Sequence, residues 1–267
     1  MPDLIPAGLD ADERSVQAAS LLEQARREGS LPLGSLTDVE ECVLGGDRWL
    51  MVDASVWLAW TAIGDEARAR HASATVRDLV ERRDAVPVDE AVRVEGAGGE
   101  PRLVLSVPLG IVELVRTSAY FVVAPSTVPA ASGVLAPLLY GFVDEVGGLL
   151  GLVAELRPAG RHDYRLLSVE HACSALAEWA QGALRSEAFG GRADAVTLEV
   201  LRHREGEPLL ASGISVRVDG EDLRGATLLF GGARERFDAG DRDTLTAQVR
   251  TLLEQAARTN RETAVSR

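Results

Sequence analysis

The clearest pattern in the sequence is an alternation of apolar and polar residues in the C-terminal third of the chain. It recurs in three segments, at residues 196–200, 214–218 and 226–230, and a period of two residues is typical of a strand with one buried face. Asp219 and Gly220 separate the last two segments, and both residue types favour tight turns. The pattern predicts a three-stranded antiparallel meander whose apolar face is covered by helices.

Apolar residues at helical spacing predict a helix on each side of this meander. Ser168 is the expected N-cap of the first helix, and Asp241 is the expected N-cap of the second. Nearer the N-terminus, the same reasoning predicts a helix that ends at Gly29, a short helix at 37–44 and a longer one at 64–82.

The middle of the chain carries shorter apolar runs, which predict several strands, one long helix and a linker. Pro and Gly mark the linker, and the polarity of an exposed connection explains the His162-Asp163 pair within it. The predicted strands are residues 85–94, 103–107, 111–115 and 119–123, the helix runs from 129 to 146 and continues weakly to 156, the linker is 157–165, and a loop is expected at 30–34.

A weak internal repeat organises these elements. The Gly-Glu-Pro triplets that begin at Gly99 and Gly206 are 107 positions apart, and the same shift carries the predicted helices at 64–82 and 130–146 onto the last two helices. One shift for three elements predicts an α+β fold with two related α-β-β-β-α halves, an antiparallel sheet and a pseudo-twofold axis. The predicted parts are a helical N-terminal appendage at 1–45, a first half at 46–156, a second half at 160–258 and a polar tail at 259–267.

Charge and cysteine content narrow the classes of function. The formal net charge of -13 opposes binding to a nucleic-acid backbone. Asp238, Asp241 and Asp243 also stand where the α-β-β-β-α order of a double-stranded RNA-binding domain needs basic residues. Cys42 and Cys173 lie far apart and outside any Cys-x-x-Cys pattern, which favours buried thiols in a reducing compartment. The acidic N-terminus lacks the basic start and apolar run of a signal peptide, so we expect a cytoplasmic location.

One uncharged stretch, residues 117–143, is long enough to cross a membrane. Pro125, Pro129 and Pro137 interrupt it, and serine and threonine residues are scattered through it. A buried strand, a turn and a buried helix explain this composition better than a membrane span. We therefore expect no membrane insertion.

Asp53 is the one acidic residue in a dense apolar stretch. An apolar strand that ends in Asp-Ala-Ser-Val resembles the opening of PIN-type ribonucleases, in which that aspartate binds magnesium with the help of three further acids. Metal-assisted cleavage of a phosphodiester needs several carboxylates around hard cations. Asp89, Glu90 and Glu95 instead fall in or beside a predicted strand, outside any βαβα repeat. The alternative is that Asp53 caps a helix that begins at Ala54.

No other group of residues forms a recognisable catalytic pattern. His162-Asp163 has no serine or cysteine nucleophile in a recognisable turn. His171 and Cys173 are two residues apart on a predicted helix and cannot share a face as metal ligands. The glycines at 96–99 lack the helix that follows a phosphate-binding loop. The sequence therefore offers no catalytic, cofactor-binding or metal-binding residue, and it does not favour an enzyme.

The C-terminal block carries a resemblance to a known family. Its segments AVTLEVLRHREGEP at 195–208 and ISVRVDGEDLRGATLLF at 214–230 precede an acid-capped helix, and this order and spacing resemble the EspG family of chaperones for actinobacterial type VII (ESX) secretion. The likeness is one of layout over residues 64–258, and the N-terminal appendage and the strands of the first half depart from it. It implies two quasi-twofold halves, no cofactor, and a role in keeping the exposed apolar tip of a secreted PE–PPE-type pair soluble.

Four leucines in the C-terminal half lie off the main apolar alternation. A leucine on the second face of a sheet is either covered by another element or offered to a partner. A small-molecule or regulatory binding protein on the same scaffold is the alternative function. The predicted partner-binding residues, which would contact an apolar segment of a client protein, are Leu201, Leu209, Leu210 and Leu229.

Overall fold

A computed structural model describes most of the chain. The described stretches are residues 11–45, 50–51, 53–87, 103–128, 136–144, 148–185, 193–204, 207–229 and 234–258. Within them, the backbone alone is described at residues 11–12, 87, 103, 203–204, 207–211, 228–229 and 234.

The described chain forms seven helices and eleven strands. The helices are α1 (Ala11–Glu28), α2 (Asp38–Leu44), α3 (Ala54–Ala62), α4 (Asp65–Glu81), α5 (Val107–Ser118), α6 (Val169–Arg185) and α7 (Arg242–Arg258). The strands are β1 (Ser30–Thr37), β2 (Ala85–Pro87), β3 (Leu103–Leu105), β4 (Phe121–Val128), β5 (Leu138–Val143), β6 (Leu149–Leu156), β7 (Arg161–Leu167), β8 (Ala195–Arg204), β9 (Glu207–Asp219), β10 (Asp222–Leu229) and β11 (Arg234–Asp238).

Nine of these strands form one sheet, in the order β1-β7-β6-β5-β4-β8-β9-β10-β11. Strands β2 and β3 form a separate two-stranded ribbon. Each described pairing is antiparallel. The predicted α+β class is therefore confirmed.

Several helices begin at the residues that the sequence predicts. Thr37 and Glu40 form a capping box at the start of α2, in which each side chain bonds the backbone N–H of the other residue. Ser168 and Asp241 each accept a hydrogen bond from the backbone N–H three residues further on, at the starts of α6 and α7. Asp53 caps α3 in the same way, so the capping interpretation of this residue is confirmed.

Helices α6 and α7 cover one face of the sheet along most of its width. The alternating residues of β8 and β9 point into this core, and the predicted meander is confirmed. The core combines Leu176 and Leu184 of α6, Val249 and Leu253 of α7, and Phe121, Leu152, Val196, Leu198, Val200, Ile214 and Val216 of the sheet. Burial of this apolar face supplies much of the driving force for folding.

The register predicted for the third strand of the meander is wrong by one residue. The buried side of β10 consists of Leu223, Gly225 and Thr227, whereas Ala226 is only half-buried. The hairpin leaves only two residues outside the ladder, so Leu223 pairs with Val218 and continues its buried face.

The second face of the sheet is covered at one end only. Helices α1 and α5 pack on β1, β7, β6, β5 and the beginning of β4, and this second core includes Leu109, Val112, Val122, Tyr140 and Leu166. No described helix packs on the second face of β8 to β11. The sheet therefore has a closed half, β1 and β4 to β7, whose second face is covered by α1 and α5, and an open half, β8 to β11, whose second face no described helix covers.

Several predictions for the middle of the chain are wrong. The predicted strand at 111–115 lies inside α5, and the predicted helix at 129–146 gives way to strand β5, with 129–135 and 145–147 outside the described residues. The predicted helical continuation to 156 is strand β6, the predicted loop at 30–34 begins β1, and the predicted linker at 157–165 largely forms β7. Strands β5 and β6 have consecutive buried residues, and burial on both faces removes the alternation that distinguishes a strand from a helix. Strands β1 and β7 do alternate between buried and exposed residues.

The internal duplication is not confirmed. One of the three elements on which it rested, the helix at 130–146, is replaced by β5, and the first half contains the additional helix α5 between β3 and β4. Helices α4 and α6 each precede a strand, but three residues separate α4 from β2 and nine separate α6 from β8. The single sheet joins both predicted halves.

Candidate functional site

A largely buried network of polar side chains joins α2 to the closed half of the sheet. Neighbouring members lie on one face of their element, because Asp38 and Glu41 are three residues apart on α2, and His162 and Tyr164 are two residues apart on β7. We call the following set the charge network: Asp38, Glu41, Arg116, Tyr140, Glu155, Arg157, His162 and Tyr164.

Arg116 lies at the centre of the charge network and is fully buried. Its guanidinium group donates hydrogen bonds to the Tyr140 hydroxyl at 2.8 Å, to a Glu41 oxygen at 3.1 Å and to Glu155. A buried cation is tolerated only when anions and hydrogen-bond acceptors surround it. Two carboxylates and a phenol oxygen meet that requirement here.

His162 contacts carboxylates through both ring nitrogens. Nδ1 lies 2.8 Å from a Glu155 oxygen, and Nε2 lies 2.8 Å from an Asp38 oxygen. A carboxylate only accepts, so this geometry requires both nitrogens to carry protons. Burial alone would lower the pKa of His162, but the hydrogen bond to Glu155, the charge of Glu41 and the hydrogen bond to Asp38 outweigh it and raise the pKa.

The two buried glutamates have opposite pKa shifts. Burial raises the pKa of Glu41 above its ordinary value, because the charge of Arg116 offsets the loss of water only partly. Burial also acts on Glu155, but the hydrogen bond from His162 and the charges of Arg116 and Arg157 hold the pKa of Glu155 well below its ordinary value. Glu155 is thus the permanent anion of the charge network.

Three members of the charge network have the ligand types of a metal site. Atoms of Glu41, Glu155 and His162 lie within 4.8 Å of one another. The same carboxylates, however, already accept hydrogen bonds from Arg116 and Arg157, whose charges would repel a metal cation. We therefore interpret the charge network as a structural element that fixes α2 on the sheet.

Helix α3 has an unusual environment for its composition. Its sequence, ASVWLAWTA, is apolar on all sides, and a helix of this kind is normally buried. None of its residues is buried in the described structure. Leu58 is 66% exposed, and Trp57 and Trp60 are only half-buried. Helix α3 therefore presents an apolar surface to its surroundings.

A cleft of about 400 Å³ lies beside this surface, between α3, α2 and α4. Burial, together with the charges of Glu41 and Asp38, raises the pKa of the Cys42 thiol to about 11, so this cysteine is protonated at neutral pH and is a poor nucleophile. The residues that line the cleft are Asp38, Val39, Cys42, Ser55, Val56, Ala59, Trp60, Ile63 and His71. The lining is mainly apolar, which suits a hydrophobic side chain better than a reaction.

The four predicted partner-binding leucines lie on the strands of the open half. Leu201 is half-buried and pairs with Val122 of β4 and with Leu210 of β9. For Leu209, Leu210 and Leu229 the structure describes the backbone only. Their role in partner binding stays a prediction.

The remaining sequence candidates are separate from the charge network, with one exception. His162, predicted to be an exposed linker residue, is buried and belongs to it. This correction has a physical cause, because most of the predicted linker forms β7, which lies between β1 and β6 and buries alternate residues. Asp53 caps α3, and the acids Asp89, Glu90 and Glu95 lie outside the described residues.

Comparison with known proteins leaves the function open. The chain matches no protein-family model and no curated protein sequence. In the described part of the chain, no helix is both long enough and apolar enough to cross a membrane.

Proposed function

We propose that this protein is a protein-binding module that holds an apolar segment of a partner against helix α3 and its cleft. The observation that carries the proposal is the exposure of α3, an apolar helix with no buried residue. Exposed apolar patches of this kind are typical of interaction sites, and tryptophan residues are enriched at the energetic centres of interfaces.

The charges around α3 favour a partner segment with basic flanks. Asp53 precedes the helix, and Asp65 and Glu66 follow it at the exposed start of α4. Arg68 pairs with Asp65 and Arg70 pairs with Glu66, so the three acids and two arginines around α3 keep a net charge of -1. With a net charge of -13, a second copy of the chain would bring like charges together. A different protein with an apolar segment and adjacent basic residues fits the surface better.

The EspG resemblance suggests the biological form of this role. A cytoplasmic chaperone for secreted PE–PPE-type proteins would cover an apolar tip of its client until export, which is the task that an exposed apolar helix suits. Leu201, Leu209, Leu210 and Leu229 would form a second contact region under this proposal. A small-molecule or regulatory binding role is the alternative function.

A pair of helical peptides tests the proposed docking surface. Both would contain the same leucine-rich segment, flanked by arginines in one and by glutamates in the other. We expect the arginine-flanked peptide to bind more tightly and to change the tryptophan fluorescence, because Trp57 and Trp60 lie at the surface. The Leu58→Asp variant should lose at least tenfold in affinity, since it places a charge in the apolar contact.

Leu114 provides a matched control. It is 62% exposed on α5, similar to the 66% of Leu58, so Leu114→Asp should bind both peptides like the wild type. Equal losses in the two variants, or no binding of either peptide to the wild type, would contradict the assignment to α3. Co-purification of a host protein with the wild type and the Leu114→Asp variant, but not with Leu58→Asp, would then identify the client.

A further inference from the structure

The open half of the sheet contains a trough of about 620 Å³ on its uncovered face. Ser215 and Ala226 lie opposite each other on β9 and β10. Arg217, Arg224 and Arg236 surround them on three adjacent strands. We call these five residues the arginine trough.

The strand register brings the three arginines together. Arg217 lies directly opposite Arg224, and Arg236 lies opposite Ala226, which is two residues after Arg224 on the same face of β10. Adjacent strands are about 4.8 Å apart, so the bases of these side chains span roughly two strand spacings. Like charges directly opposite each other destabilise a sheet. Arg224 has a compensating charge on its other side, where Asp238 lies opposite it, whereas the residues opposite Arg217 and Arg236 include no acid.

Part of this positive charge has no internal partner among the described residues. Arg224 forms an ion pair with Asp222 at 2.9 Å, whereas neither an ion pair nor a hydrogen bond of Arg217 or Arg236 is found in the described part of the chain. Asp219 and Asp238 also line the trough. With Asp222, three aspartates match the three arginines in number, so the charge available to a ligand is that of Arg217 and Arg236, which are exposed.

We propose that the arginine trough binds a small organic anion that carries two or more carboxylate or phosphate groups. Guanidinium groups bind either kind of group through two parallel hydrogen bonds, and the Ser215 hydroxyl adds a donor on the floor. The volume of the trough lies within the range of small-molecule sites. Two available arginines on opposite sides of Arg224 fit two anionic groups of one ligand. This site is separate from the apolar surface of α3 and uses different chemistry.

Isothermal titration with two probes, citrate and pyrophosphate, tests the site and distinguishes carboxylate from phosphate. At low ionic strength we expect saturable binding of at least one probe at a stoichiometry near one. The double variant Arg217→Gln/Arg236→Gln should lower the affinity at least tenfold. Arg70→Gln is the control, because Arg70 is an exposed arginine on α4 that pairs with Glu66, and its loss should leave the affinity unchanged.

Three results would overturn the proposal. The first is that neither probe shows saturable binding. The second is that wild type and double variant bind with equal affinity, which would mean an adventitious ion only. The third is that an acidic peptide binds and the small anions do not. If the glutamine variant fails to fold by circular dichroism, Arg217→Lys/Arg236→Lys replaces it. Lysine keeps the charge and loses the paired donors, so its affinity should fall severalfold, and unchanged affinity would contradict bidentate recognition.

Discussion

The two halves of the sheet use arginine in opposite ways. In the closed half, Arg116 is fully buried and bound by Glu41, Tyr140 and Glu155. In the open half, Arg217 and Arg236 lie on a sheet face that no described helix covers. The same side chain thus holds elements together at one end of the sheet and is available to a ligand at the other.

The difference follows from what covers the second face of the sheet. Beneath α1 and α5 water is excluded from the closed half, so each charge buried there needs a partner within the protein. In the open half, water solvates the arginines, and their mutual repulsion is screened. A buried charge must therefore be paired to keep the fold stable. Exposed arginines need no such partner, so a group of them can be free to bind a ligand with less cost to the stability of the fold.

Replacement of Arg116 should produce the largest effect and is the most direct test of this difference. Arg116→Met leaves Glu41 and Glu155 buried without their main cation, and breaking a buried ion pair in this way costs about 3–5 kcal/mol. The free energy of unfolding, measured by urea denaturation, should fall by that amount. Arg236→Met is the matched control in the open half and should change it by less than about 0.5 kcal/mol. Similar losses in the two variants would remove the distinction between the halves.

Two glycine–phenylalanine pairs allow a second comparison. A Cβ at Gly141 would overlap the ring of Phe121, and a Cβ at Gly225 would overlap the ring of Phe237. Phe121 is fully buried in the closed half, whereas Phe237 is half-buried on the edge strand β11. We expect Gly141→Ala to cost about 1–3 kcal/mol through overpacking, and Gly225→Ala to cost less. Thermal unfolding of both variants checks which one loses more stability. A larger loss in Gly225→Ala than in Gly141→Ala would contradict the prediction.

The charge network should also make stability depend on pH. The pKa of His162 is raised in the folded state, so its contribution is complete below about pH 6.5, the usual pKa of unfolded histidine, and is lost as the pH rises through the folded value. We expect the melting temperature to fall across that alkaline window. In His162→Gln this part of the pH dependence should disappear, whereas His71→Gln, which alters a residue of the cleft, should keep it. A wild-type profile that is flat above pH 6.5 would show that His162 is not charged in the fold.

The sequence indicated the open half much better than the closed half. Val196, Leu198 and Val200 alternate because one side of β8 faces helices and the other does not, so the period of two is visible. Strand β6 has five consecutive buried residues, from Gly151 to Glu155, and its pattern is compatible with a helix. Position in the sheet, which the local sequence does not encode, decides between the two.

The candidate sites also differ in how far the sequence indicated them. The members of the charge network come from five parts of the chain: α2, α5, β5, the end of β6 with Arg157, and β7. The available signal was a charge within an apolar run, as for Glu155 in GLVAEL and Arg116 at the end of α5. Helix α3 was visible as a dense apolar stretch, but its exposure depends on how α2 and α4 pack around it. The cross-strand arginines required the register of β9, β10 and β11. The sequence pattern placed β10 one residue away and did not predict β11.

The smallest effect that we predict concerns Asp53, at the edge of the closed half. The charge network reaches the segment before α3, because Arg157 donates a hydrogen bond to the carbonyl of Met51 at 2.5 Å, and Asp53 then caps the helix through the backbone N–H groups of Ser55 and Val56. Asparagine caps about as well as aspartate, whereas alanine costs about 0.5–2 kcal/mol. Asp53→Asn should therefore keep the wild-type stability, and Asp53→Ala should lose about 1 kcal/mol in urea denaturation. The same pair of variants tests the PIN-type ribonuclease hypothesis, since a magnesium ligand would not tolerate asparagine. Magnesium-dependent RNA cleavage that Asp53→Asn abolishes would show that Asp53 has a catalytic role and that capping is not its main function.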